Sequence, residues 1–229
     1  MQETRLDTAR IGAARRVIDP VFLDTPLYRC EALEPGLGCA VSIKLETANP
    51  VRSFKARCEG AATIGLELAG TVPSFDAVLI ALGGGALATG VGHVLKACAP
   101  EVEVICVQPL GAPAMTHSWR QRRVVTTGPA STIADGVAGR RPIPAVLDDL
   151  LLVADDAVLV SEASIIAGMR MLLDHAGLVA EPSAALGIAA ILEDRDRFAG
   201  RHVVTIVCGS NVDVDAYHRW VGAAPIHRT

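Results

Sequence analysis

Aromatic residues are nearly missing from this chain: Phe, Trp and Tyr make up 3% of its 229 residues, whereas 51% are hydrophobic. Such a core must be built from Ala, Val, Leu and Ile, which suits close-packed α/β layers better than aromatic-rich β sandwiches. Runs of one charge are missing too. The formal charge is −4 with acids and bases interspersed, which argues against nucleic acid or an anionic membrane surface as a partner. The six cysteines (30, 39, 58, 98, 106, 208) form no C-x-x-C and no paired spacing, and the histidines lack helical ligand spacing. A disulfide framework and a metal site are therefore not expected. No targeting peptide is visible in the polar, charged residues 2–16, so the cytosol is the default. Residues 77–95 are apolar enough to pass a membrane-span window, but three glycines in their middle and His93 near their end argue against a span. Lysine is the scarcest charged residue, present only as Lys44, Lys55 and Lys96.

What is present centres on residues 76–107. An apolar run, 77–82, stops at Gly83, Gly84 and Gly85; a small-residue helical stretch, 86–98, comes next, then a second apolar run, 102–107. That order predicts a βαβ unit with a phosphate-sized cradle at its first turn. Glycines let backbone N–H groups converge on an anion, and the next helix adds its free N–H groups and positive dipole end. A nucleoside-triphosphate loop is excluded, because Gly90 is followed by Val91 and Gly92 instead of a Lys-Ser/Thr pair. A dinucleotide loop is weakened by Gln108 and Pro109, where an acid for the ribose belongs. A phosphorylated cofactor such as pyridoxal phosphate stays open, beside the plain alternative of a tight turn with close helix packing.

The flanking sequence predicts a helix over 2–19 stopped by Pro20, a turn at 34–38 and a strand over 40–45. Ser53 reads as the N-cap of a helix running to about residue 68. Further helices are expected near 115–121, 144–151, 164–175 and 182–192, the last with Pro at its first turn. Strands are expected at 157–160 and 202–208. The fold class is thus α/β: an open, mostly parallel sheet with helices on both faces. With no internal repeat, residues 1–229 read as one α/β domain.

Lys44 and Lys96 read as solvated surface charges. Lys55 differs, because it lies just inside a helix start among uncharged neighbours. That setting favours a neutral amine through desolvation and the helix dipole, and a neutral amine can form a Schiff base. A helix-start lysine reaching solvent is the plainer reading.

Five segments in order resemble the fold-type II pyridoxal-phosphate enzymes, nearest the threonine/serine dehydratase group. Asn49-Pro50-Val51-Arg52-Ser53-Phe54-Lys55 is similar to that family's lysine motif, and Gly83-Gly84-Gly85-Ala86-Leu87 to its phosphate loop, with Ala86 where a fourth glycine is usual. Residues 132–138, the Glu181-Pro182-Ser183 helix start and the turn Cys208-Gly209-Ser210-Asn211 complete the set. The resemblance implies pyridoxal 5'-phosphate as cofactor and Lys55 as catalytic residue and Schiff-base partner. It also implies cofactor contacts from Phe54, Gly83, Gly84, Gly85, Ala86, Leu87 and Cys208. Cys208 would face the ring nitrogen; a thiol there is a weak partner, which suits β-elimination better than transamination. The implied reaction is α,β-elimination from a hydroxy amino acid to a 2-oxo acid and ammonia. Amino-acid racemisation and a non-catalytic cofactor- or partner-binding remnant are the alternatives, with a nucleotide-binding module behind them. A small amino-acid substrate and a homodimer are the expected partners.

One departure from the family is large. Its small second domain, with the loop that anchors the substrate carboxylate, is missing between Arg57 and Cys58. Residues 58–63 resemble the helix that normally comes after that domain. Arg140, Arg141 or a partner chain are the candidate replacements for the anchor. The stretch holding Gln108, Ala112 and Ala114 also lacks the carboxylates with which metal-binding relatives hold a cation.

Overall fold

The computed structural model of the chain describes residues 4–71 and 74–222. Among them are six strands: β1 Leu27–Arg29, β2 Ala40–Leu45, β3 Ala77–Ala81, β4 Glu103–Pro109, β5 Asp156–Val160 and β6 His202–Val207. They form one sheet in the order β1-β2-β6-β3-β4-β5. Only the β1–β2 pair is antiparallel. The first helices are α1 Thr8–Ala14, α2 Glu34–Leu37, α3 Thr63–Thr71, α4 Ala86–Cys98 and α5 Ala114–Gln121. Then come α6 Pro144–Val153, α7 Glu162–Ala176, α8 Leu186–Glu193, α9 Arg195–Phe198 and α10 Val214–Val221.

Helices cover both faces, as glycine contacts and strand register together show. Gly187 of α8 abuts Thr205 and Leu79, which are partnered across β6 and β3. Gly92 of α4 abuts Val104, the register partner of Val78. Successive strand residues point to opposite faces, so α8 and α4 lie on opposite sides. With both faces covered, β3 is buried along its whole length, which explains its unbroken apolar run.

The strands and central helices expected from the sequence are found, and α4 matches its expected span, while the turn expected at 34–38 is the short helix α2, ended by left-handed Gly38. Three helices differ. The first helix spans only Thr8–Ala14, capped by the Asp7 carboxylate, which accepts from the N–H of Ala9 at 2.7 Å. Beyond it the chain turns so that Ile18 packs against Gly60; residues 2 and 3 lie outside the described residues. The helix after Ser53 is a 3-10 helix over Phe54–Ala62 before α3 begins. There the Thr63 hydroxyl donates to the Gly60 carbonyl at 2.7 Å, competing with the regular helical ladder. The segment after Glu181 likewise starts as 3-10 over Pro182–Ala185 before α8. Helix α10, capped by Asp213, carried no clear signal in its polar, short sequence.

Candidate functional site

At the carboxyl end of the sheet, the loops after the neighbouring strands β3 and β6 leave side by side, where α/β folds place their ligands. After β3, Gly83, Gly84 and Gly85 lead into α4, whose first turn has no side-chain cap. Gly85 is left-handed, with φ 95°, and a Cβ there would lie 2.5 Å from Val146 Cγ1. Only glycine meets both demands. Gly84 and Ala86 are exposed, and a Cβ on Gly84 would meet nothing within 4 Å. The loop therefore presents the start of α4, with its free N–H groups, to solvent. Leu87 is buried beneath it as a core residue, so its backbone N–H is what it offers.

The lysine segment is fixed to the turn after β6. Ser53 pairs with Gly209 in an antiparallel bridge. The Phe54 N–H donates to the Cys208 carbonyl, and the Ser210 N–H donates to the Arg52 carbonyl, both at 3.0 Å. Asn211 adds a side-chain bond to the Val51 carbonyl at 3.0 Å. Ser53 caps the 3-10 helix as expected, accepting from the Lys55 N–H at 3.3 Å. Phe54 is half-buried against the core. Lys55 is not desolvated: its side chain is exposed, because the 3-10 turn projects it outward. The plainer reading of that lysine describes its surroundings.

Glu181, outside the expected set of contact residues, joins the two halves. Its side chain packs against Gly209, and its Oε2 accepts the Asn211 N–H at 3.2 Å. The backbone there is locked by the Glu181 N–H donating to the Gly209 carbonyl at 3.1 Å. On the other side, Gly136 abuts Ser183 and Glu181, and Gly83 in turn abuts the backbone of Gly136 and Val137. Burial raises the Glu181 pKa; the Asn211 N–H and Lys55 pull it down, and Asp135 pushes it up. Lys55, Glu181 and Asp135 thus share one electrostatic neighbourhood. Cys208 is buried, and burial together with Glu181 holds its thiol far above the ordinary range, so it is a neutral thiol. The Ser183 hydroxyl is buried without a hydrogen-bond partner among the described residues.

Lys44 and Arg57 are the larger correction. Lys44 is not a surface charge: it is 1% exposed. Its ammonium lies 2.5 Å from Glu67 and donates to the Thr25 carbonyl at 2.6 Å. Arg57 forks onto two carboxylates, at 2.8 and 2.9 Å to Glu46 and at 2.9 Å to Glu67 with a second, shorter bond. Burial alone would raise the Glu67 pKa, but the bonds from Arg57 and Lys44 hold it below the usual carboxylate range. A Lys-x-Glu at a strand end was the available signal, and strand alternation misread it: both faces of β2 are covered. Lys96 does sit near the surface, paired with Asp155 at 2.6 Å. Arg140 and Arg141 are exposed, just past the Asp135–Val137 turn, with no ion-pair partner among the described residues.

The glycine cradle, a capless helix start and a neutral thiol at the adjoining strand end fit a phosphorylated pyridine cofactor. Among the described residues no cluster of His, Cys, Asp or Glu could hold a metal, and no helix is long and apolar enough to cross a membrane.

Comparison with known proteins agrees. Residues 56–209 match the family "pyridoxal-phosphate dependent enzyme", beginning one residue after Lys55. The chain is 36% identical over 160 residues to an L-threonine ammonia-lyase of Thermotoga maritima, covering 70% of this chain and 40% of that protein. It is 34% identical to a phenylserine dehydratase of Ralstonia pickettii, covering 71% and 50%, and 31% identical to a serine racemase of Oryza sativa, covering 68% and 47%. The chain thus spans about half or less of the length of the curated relatives it matches. Superposition on a threonine deaminase from T.th. gives a TM-score of 0.85 at 25% identity, covering 91% of this chain and 99% of that one. On fold, site and sequence together, the chain belongs to the pyridoxal-phosphate dependent enzyme family, with the fold-type II architecture.

Proposed function

We propose that this chain is the cofactor-binding core of a dehydratase-like ammonia-lyase, which eliminates water from a hydroxy amino acid to give a 2-oxo acid and ammonia. The observation that carries the reading is the convergence of the lysine segment, glycine loop, Glu181 and Cys208 at one end of the sheet. Bound there, pyridoxal phosphate supplies an aldehyde that condenses with amines and an electron-withdrawing ring that acidifies the substrate Cα–H. The backbone N–H groups of residues 83–87 would hold the phosphate. Phe54 flanks the lysine, whose amine would tether the cofactor and take up the Cα proton. Cys208, as a neutral thiol, gives the ring nitrogen only a weak partner and leaves it a mild electron sink.

Racemisation is the second reading, supported by the likeness to serine racemase. Both reactions start from the same proton removal, and a racemase must also return the proton to the opposite face.

We further propose that residues 1–229 form one domain from which a small domain is missing after Arg57. Support comes from the buried cluster: Lys44 and Arg57 before that point bond Thr63 and Glu67 after it. Without that domain Lys55 stands open to water, and the substrate carboxylate has only exposed groups such as Arg140 and Arg141 to meet. A remnant that binds cofactor with little turnover is consistent with this. The open face also supports a homodimer. Free cysteines, without a disulfide among the described residues, support the cytosol as its location.

The deciding experiment is visible absorption of the purified protein with added pyridoxal phosphate, for wild type and Lys55→Ala. A band that borohydride fixes onto Lys55, and that the variant lacks, supports the cofactor site; no band in a folded protein sinks it. Serine and threonine in the same cuvette then separate elimination, racemisation and inert binding.

A further inference from the structure

Behind the turn that carries Cys208 lies a cavity of about 510 Å³, walled by the end of α7, by residues 210–214 and by α10. That volume lies within the range of small-molecule sites. Its walls are mainly aliphatic, with Val179, Val212 and Val214 at the front and Leu173 behind. Val214 is 66% exposed and Val179 half exposed.

Several polar side chains in this lining have no hydrogen-bond or ion-pair partner among the described residues, the exposed His218 and the Ser210 hydroxyl among them. The Arg52 guanidinium has no ion pair, although its backbone is pinned by its N–H to Asn49 (2.9 Å) and its carbonyl to Ser210 (3.0 Å). Arg52 also adopts a left-handed φ of 55°, a conformation that a long side chain rarely takes. Asp174, on the opposite element, likewise has no bonded partner, and it lies close enough to Tyr217 to act on its phenol. The Tyr217 hydroxyl is buried and unbonded. Arg170, by contrast, is committed to the last carbonyls of α10, Trp220 and Val221.

The unpaired Arg52 guanidinium and Asp174 carboxylate, on separate elements over an aliphatic floor with His218 at the side, describe a ligand with complementary ends. We propose that this cavity binds a short apolar molecule carrying a carboxylate at one end and an amine at the other, of about dipeptide size. The carboxylate meets Arg52 and the amine meets Asp174, while the Tyr217 ring forms part of the wall. Because the Arg52 carbonyl and the Ser210 N–H belong to the bridge beside Lys55, an occupant here braces the lysine segment from behind.

The test uses the whole chain without cofactor, so it stands apart from the lyase reading. Valyl-valine, its N-acetyl derivative and its C-terminal amide are titrated by calorimetry. Valyl-valine is expected to bind about tenfold more tightly than either blocked form. Arg52→Met should abolish the advantage over the amide, and Asp174→Asn the advantage over the N-acetyl form. Val179→Trp, at the exposed rim, should weaken all three by filling the cavity while circular dichroism stays unchanged. No binding of valyl-valine, or equal binding of the three by wild type, overturns the proposal. So does a preference that survives both charge substitutions.

Discussion

Two cations two residues apart, Lys55 and Arg57, have opposite surroundings. Arg57 is 2% exposed and forks onto two buried glutamates, whereas Lys55 stands in solvent above the Cys208 turn. One segment therefore holds an element of stability and the candidate chemical group side by side. The lesson is that the two can be removed separately: the fold rests on the residue facing inward, the proposed chemistry on the one facing out.

The largest effect expected from breaking that contrast is at Lys55. Lys55→Ala should remove covalent cofactor capture completely, read by borohydride labelling, and leave the free energy of urea unfolding within about 0.5 kcal/mol of wild type, as for other exposed substitutions. Glu67→Ala should do the reverse. It leaves the buried Arg57 and Lys44 with Glu46 alone to share and should cost about 3–5 kcal/mol in urea unfolding. Gly85→Ala tests the cradle. A Cβ at positive φ and against Val146 should cost about 1–3 kcal/mol and lower the cofactor loading seen by absorbance. A titration sharpens the comparison with the smallest signal. Glu67 has its folded pKa below its ordinary value of 4.5, so its contribution is full above that value and is lost as pH falls through the folded pKa. Wild type should therefore lose urea stability more steeply below about pH 4.5 than Glu67→Gln, whose side chain does not titrate; equal slopes would show that Glu67 is not the titrating partner.

Most of the sheet was legible in the sequence, because strands covered on both faces read as plain apolar runs, as residues 77–82 and 202–208 do. Helix α4 was legible in full, bounded by Gly85 at one end and by Ala99-Pro100 at the other. The site was legible as five segments, but not the member that joins them. Glu181 reads as a helix-start acid, and its packing between Gly136 and Gly209 depends on contacts far apart in sequence. Lys44 was misjudged for a related reason, and of the two readings of Lys55 only the plainer, solvent-reaching one describes its surroundings. Burial of a lysine is set by what crosses over it: Glu67 and Arg57 close over Lys44, whereas Lys55 is left exposed. Periodicity carries no information about either.

The buried cluster also has an architectural meaning. Arg57 and Thr63 share a hydrogen bond of 3.0 Å, so the chain on the two sides of the 57/58 link is held together by its own interior contacts. A guest domain whose ends lie close together could be spliced in at that point without re-threading a strand. In engineering terms, residues 57–60 are an insertion point two residues past Lys55, where a sensor or binding domain can be tried.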